Sequence, residues 1–368
     1  MNSVKVVIVG AGISGLYAAS LLESAGITYT LLEGRSAPGG RVLSLSPDTA
    51  IQISEKKTGQ VDLGATWVWP SFQSQLAELL TELKIELIPQ HESGDMLYEQ
   101  AKHNAPSRHP GYSSSPSSMR LAGGMGELTE RLLARISQDN LHTDHKVLEM
   151  EQVGEQVHTH SVSSDGTRFT VVSEKVLLAL PPTLAAEITF MPALPDETQQ
   201  EWARTGTWMA PHAKYVAVYN DDFWHQHSLS GEARSGVGPM VEIHDASVPG
   251  GISALFGFLG VSAKSRWTTS EANLVSLCRE QMVRLFGESA AFPVAEYYKD
   301  WACDPFTATE YDLVAQAGHF VPSSHPGKGP WQHRIKGIAS EWSVMFPGYL
   351  AGAIDNALEG FKFCQKDP

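Results

Sequence analysis

With 42% hydrophobic and 18% charged residues in a chain of 368, the composition is that of a globular protein and excludes a disordered or fibrous one, and the length favours two domains. A formal net charge of −14 disfavours nucleic acid and anionic membrane surfaces as partners and suits the attraction of cations, amines among them. Only three cysteines, Cys278, Cys303 and Cys364, argue against a disulfide framework and for a reducing compartment. "MNSVKVVIVGAGISG" has no signal-peptide layout and "EGFKFCQKDP" no apolar run of membrane-spanning length, so the expected location is cytoplasmic.

Val4 to Val9 is a continuous apolar run, the pattern of a strand buried on both faces of a parallel sheet. Leu16, Ala19, Leu22 and Ala25 then follow helical spacing, Gly26 sits at the expected C-cap, and "TYTLLE" reads as a second strand, completing a βαβ unit. Gly10, Gly12 and Gly15 form G-x-G-x-x-G between that strand and helix, with Glu33 closing the next strand. This arrangement cradles a pyrophosphate on a helix N-terminus and offers an acid to an adenosine ribose. It implies an ADP moiety and leaves FAD and NAD both open.

Further along, "HNAPSRHPGYSSSPSS" (103–118) is Ser/Pro-rich and predicts a long loop, and "EKVLLALPP" predicts a buried strand stopped by Pro181 and Pro182. In "HAKYVAVYNDDFW" (212–224), period two places Lys214, Val216 and Val218 on one strand face and Tyr215, Ala217 and Tyr219 on the other. On that pattern alone, Lys214 either snorkels to water or is held inside for chemistry. "EWSVMFPGYLAGAIDNALEGFKF" (341–363) predicts turn residues leading into an amphipathic helix. Fourteen histidines offer no pair with convincing metal-ligand spacing, so no metal is expected.

Several separated blocks resemble the flavin-containing monoamine oxidase family (flavin amine oxidoreductases): "EGRSAPGGRV" (33–42), "VDLGATWVWP" (61–70), "RLAGGMGELTERLL" (120–133), "HKVLEME" (145–151), "KYVAVYNDDFW", "WACDPFTATEY" (301–311) and "FPGYLAGA" (346–353). The resemblance implies an α/β fold, with a glutathione-reductase-like, Rossmann-type FAD-binding domain from 1–74, 121–186 and 310–368. A mixed-sheet substrate domain would comprise 75–120 and 187–309. FAD would be held by Gly10, Gly12, Gly15, Glu33, Arg35, Gly40, Arg41, Gly64, Ala65, Thr66, Trp67, Val147, Trp301, Glu341, Tyr349 and Ala353. Lys214 matches the lysine that reaches flavin N5 through a water, Trp301 the tryptophan beside the isoalloxazine, and Tyr311 and Tyr349 the two walls of an aromatic cage.

The implied reaction is oxidation of a small-molecule primary or secondary amine to an imine, with O2 reduced to H2O2. An L-amino-acid oxidase, using Arg204 or Arg234 for the substrate carboxylate, another C–H oxidising flavoprotein of the same fold such as a desaturase-type enzyme, and a flavin-binding redox sensor remain as alternatives. Two departures stand out. Glu310 occupies the position of the cysteine that binds flavin covalently in the mitochondrial enzymes, which implies non-covalent FAD. The chain is also short for the family, and the 103–118 loop could replace structure that lids the substrate cavity.

Overall fold

Val6, Val7, Ile8 and Val9 are buried on both faces, and the strand Asn2–Val9 runs inside an eight-stranded mixed sheet of the computed structural model, which describes residues 2–46, 59–313 and 321–366. Strands follow the order Thr189–Met191, Lys146–Val153, Gln156–Val162, Arg168–Leu178, Asn2–Val9, Tyr29–Leu32, Leu141–His142, and Ile335–Gly337 pairs with Arg168–Leu178. Asn2–Val9 is parallel to both of its neighbours, as a βαβ crossover demands. The crossover helix, Ile13–Ser24, is buried along nearly its whole length beneath the C-terminal helix Leu350–Gln365 and the helix Gly126–Leu133. Gly15 permits this closeness, because a Cβ there would stand 1.9 Å from the Gly10 carbonyl oxygen and 3.1 Å from Ala179 Cβ.

A second sheet has seven strands in the order Ala295–Asp300, Ala213–Tyr219, Ser253–Leu259, Met240–Asp245, Leu229–Ser235, Asp95–Glu99, Ser107–Pro110. All its pairings are antiparallel except that of Leu229–Ser235 with Asp95–Glu99. Every residue of Ala213–Tyr219 is buried, with the alternation preserved. Tyr215, Ala217 and Tyr219 pack into one core with the helix Glu271–Phe286, while Val216 and Val218 pack into another against Val61, Leu63 and Phe256.

Packing redraws the sequence-based boundaries in two places. The helix Ser74–Glu82 buries Leu76, Leu79 and Leu80 in the core of the first sheet, and Thr189–Met191 with Trp202 also belongs to that layer. Apolar faces chose their side by burial, which the change in composition along the chain does not report. The 103–118 loop contains an edge strand, Ser107–Pro110, with Pro110 at its end where a missing N–H costs least. Residues 47–58 and 314–320, assigned by sequence to the nucleotide-binding part, lie outside the described residues.

Candidate active site

One cavity of about 840 Å³ runs from the glycine turn to the lysine strand, between the two sheets. At one end it is lined by Gly10, Gly12, Glu33, Arg35 and Val147. The first N–H groups of Ile13–Ser24 have no intrahelical acceptor and face this end, with no acidic residue in the first turn to compete for an anion. Burial raises the pKa of Glu33, opposed by the N–H groups of Arg35 and Ala11, which donate to its carboxylate at 2.8 and 2.6 Å. Arg35 is held by both oxygens of Asp304 (2.7 and 2.8 Å) and by Thr307 Oγ1 (2.9 Å), over the Phe306 ring. A shift of register between Val147 and Glu149 interrupts the strand beside the cavity, freeing it from regular pairing there.

Gly40, Arg41 and Ala353 line the middle. Arg41 donates to Glu341 at 2.5 and 3.1 Å, and although burial works to lower the arginine's pKa, the carboxylate raises it on balance. Glu341 itself is off the cavity lining. Its place is therefore corrected: it reaches the site by orienting Arg41, because the Ser340–Trp342 turn directs it into the protein rather than toward a ligand.

Gly64, Ala65, Thr66, Trp67, Trp301, Tyr349 and Lys214 gather at the other end. Gly64 is required there, since a Cβ would stand 1.9 Å from the Arg41 carbonyl oxygen. Trp301 Nε1 donates to the Leu63 carbonyl at 2.9 Å, fixing the indole against the same segment. Lys214 is 2% exposed. Its Nζ donates to Thr66 Oγ1 at 2.5 Å and the Gly64 carbonyl at 3.4 Å, and lies 4.0 and 5.6 Å from the ring centroids of Phe256 and Phe258. Burial lowers its pKa to about 7, with Asp62 resisting the shift and Arg120 reinforcing it. The snorkelling alternative is thereby excluded.

The aromatic pair expected from sequence does not form. Tyr349, at the N-cap of Leu350–Gln365, has Trp208 at 4.7 Å and Trp69 at 5.9 Å between ring centroids. All three line the cavity. Tyr311 is 37% exposed and is not on the lining. In its turn, Glu310–Leu313, the inward position is taken by Asp312, which accepts from the N–H groups of Thr207 (2.5 Å) and Thr309 (2.9 Å). Trp69 stood within the quoted "VDLGATWVWP" block, two residues beyond the last one assigned a role. Trp208 sits in an irregular segment with no motif to mark it, and Asp304 is visible only as the acid in "WACDPF".

Arg266 and Glu242 on the cavity lining are engaged by other side chains. Arg266 is bidentate to Asp300 (2.6 and 2.7 Å), and Glu242 is held by Arg234 and His244, each at 2.6 Å. Arg234 is not on the lining, and Arg204 is exposed. Among the described residues no cluster of three or more His, Cys, Asp or Glu could hold a metal ion, and no helix is long and apolar enough to cross a membrane.

The profile described as "Flavin containing amine oxidoreductase" matches residues 111–359, and that of an NAD(P)-binding Rossmann-like domain matches 8–83. The chain belongs to the flavin-containing amine oxidoreductase family and is an oxidoreductase of that class. It is 25% identical over 239 residues to a probable flavin-containing monoamine oxidase A of Dictyostelium discoideum, covering 64% of this chain and 51% of that protein, about half its length. It is 23% identical over 417 residues to the putrescine oxidase of Kocuria rosea, covering 84% and 85%. The fold matches cyclohexylamine oxidase from Brevibacterium oxydans IH-35A with a TM-score of 0.79 at 19% identity over 98% of both chains. It matches a putrescine oxidase redesigned in cofactor binding with a TM-score of 0.78 at 18% identity over 99% of both.

Proposed function

We propose that this protein oxidises a primary or secondary amine at non-covalently held FAD, with O2 as electron acceptor. The observation that carries the reading is one continuous cavity joining a dinucleotide-type glycine turn to a desolvated lysine set among aromatic rings. The residues fit FAD. At Gly12 a Cβ would meet nothing within 4 Å, so the backbone opens to the cavity where a pyrophosphate belongs. Glu33 would take the ribose, Arg35 and Arg41 the phosphate side, and Gly64 to Trp67 with Trp301 the ring end. Glu310 offers no thiol for a covalent link.

Bound FAD supplies the two-electron acceptor for the C–H bond next to nitrogen. The chain's own residues do the rest. Trp69, Trp208 and Tyr349 present ring faces that orient a neutral amine. Phe256 and Phe258 keep bulk water away from the Lys214 Nζ, which above pH about 7 is uncharged and can accept a proton or hold one water. Overall, amine and O2 give imine and H2O2, and water hydrolyses the released imine to a carbonyl compound and ammonia or an amine.

Arg35, Arg41 and Arg266, the arginines on the lining, are all carboxylate-paired, so none of these guanidiniums is left open for an amino-acid carboxylate. Glu242 is likewise taken, by Arg234 and His244. The favoured substrate is a monoamine with an apolar substituent. Three unpaired cysteines fit action in a reducing cytoplasm.

The test is the anaerobic visible spectrum of the purified protein mixed with arylalkyl, alkyl, diamine and L-amino-acid compounds. Bleaching of the flavin band by the first two classes is expected. Bleaching by L-amino acids alone would transfer the assignment to amino-acid oxidation, and a band that no amine bleaches would overturn it.

A further inference from the structure

Two short turns beside the aromatic end of the cavity carry apolar side chains out to the surface. In the first, 69–73, the N–H groups of Phe72 and Gln73 donate to the Trp69 carbonyl at 3.2 and 3.1 Å, and the Trp69 N–H donates to Oε1 of the buried Gln73 at 2.9 Å. The Trp69 indole is fixed by donation to Ser118 Oγ at 3.0 Å. In the second, 343–349, the Phe346 N–H donates to Ser343 Oγ at 3.0 Å and the Tyr349 N–H to the Phe346 carbonyl at 3.1 Å. Gly348, with φ +81°, lies so close to Trp208 that a Cβ there would stand 3.1 Å from the tryptophan side chain. Both turns are held without a ligand.

A chain of ring contacts joins these turns to the cavity. Trp208, Tyr349 and Trp69 are on the lining, with 4.7 and 5.9 Å between successive centroids. Trp69 then stacks on Phe72 at 6.3 Å, and Phe72 meets Phe346 at 6.2 Å. Phe346 is anchored against the core of the first sheet, whereas Phe72, Val344 and Met345 are 49%, 81% and 73% exposed. An apolar cluster left open to water on fixed turns, continuous with a cavity, marks a binding surface. Charge and area narrow what it binds. Neither turn contains a charged residue, so neither offers a partner to a second ammonium, a carboxylate or an anionic headgroup. Three exposed side chains also fall short of the ~1,000 Å² that a lasting protein interface buries. A ligand that enters the cavity and leaves an apolar tail outside it meets both conditions.

We propose that the two turns form an outer subsite for the tail of the amine, so that the substrates of this protein are amines with long alkyl or arylalkyl tails. This rests on the reading of the protein as an amine oxidase and names its substrate class. The amino end sits among the cavity rings, and the tail passes Trp69 to end against Phe72, Phe346 and Met345. Full burial of a methylene is worth about fourfold in affinity; a groove open to water on one side recovers part of that, about twofold per methylene.

The experiment uses the FAD-bound protein and two matched series from butyl to decyl. The n-alkylamines are read by kcat/KM, and the α,α-dimethylalkylamines, which lack the α-hydrogen and so bind without turnover, by Kd from calorimetry. Affinity should rise about twofold per methylene in both series. Phe72→Ser should lower the decyl-to-butyl affinity ratio about tenfold, and Met345→Ser, at a position exposed enough to tolerate the change, about threefold. A purely structural role would weaken both chain lengths alike; a ratio unmoved in the folded variants, or a parent affinity independent of chain length, overturns the proposal. Binding to neutral phospholipid vesicles that both variants abolish, with the ratio unmoved, would transfer the turns to a lipid surface and overturn it too. The amine-oxidase reading fails separately, if the n-alkylamines bind but none bleaches the flavin.

Discussion

From the glycine-turn end to the middle of the cavity, Arg35 and Arg41 each face a carboxylate within 2.7 Å, and Glu33 accepts two backbone N–H groups. At the opposite end, Lys214 has a hydroxyl, a carbonyl and two phenyl rings, and among the described residues no carboxylate lies within ion-pair distance. Both ends bury charge, and they deal with its cost differently. The first satisfies its charges locally. The second leaves a cation under-compensated, so its proton is held loosely enough to exchange near neutrality.

The strongest challenge to the binding end is Gly15→Val. The added side chain meets backbone that cannot yield, and a loss of about 3 kcal/mol is expected, read as lowered stability to denaturant and loss of flavin from the purified protein. Retention of both would mean that the helix is not held against the strand as tightly as the geometry requires. At the other end, Lys214→Met should retain flavin but slow amine oxidation or reoxidation by about 100-fold, measured by rapid mixing of the two half-reactions separately.

The aromatic wall gives a finer discrimination. Trp208→Ala should lower kcat/KM for an arylalkylamine about tenfold, whereas Tyr311→Phe should stay within about twofold. The reverse ranking would restore Tyr311 to the cage. The smallest effect concerns stability and pH. The folded pKa of Lys214, about 7, lies below its ordinary value of 10.5, so between those values the unfolded chain binds more protons and stability rises with pH. The advantage of Lys214→Met over the parent in thermal midpoint should therefore be greatest below pH 7, amount to a few degrees, and shrink as pH approaches 10.5. A difference independent of pH would show that the lysine is not desolvated.

The glycine turn was legible because its causes are local. Gly10, Gly12 and Gly15 serve one turn and one helix start, and Glu33 follows on the adjacent strand, so spacing alone carries the physics. Trp301 and Tyr349, expected only through resemblance, line the cavity, whereas Tyr311, expected on the same ground, is off the lining and Trp208 is on it. Glu341 was assigned to a ligand and instead orients Arg41. Both differences concern the direction of a side chain within a short turn, where a single buried neighbour such as Asp312 decides which residue faces inward.

Period-two alternation established that Lys214 shares a face with Val216 and Val218, because side-chain direction along a strand is a property of the backbone. Whether that face meets water or protein is not. The burial of Lys214, and with it the fall of its pKa, comes from Phe256 on a neighbouring strand and Thr66 from a segment about 150 residues earlier, with Asp62 opposing the fall and Arg120 adding to it. Desolvation is a sum over everything that displaces water from one atom, and for this lysine nearly all of it arrives from parts of the chain far away in sequence.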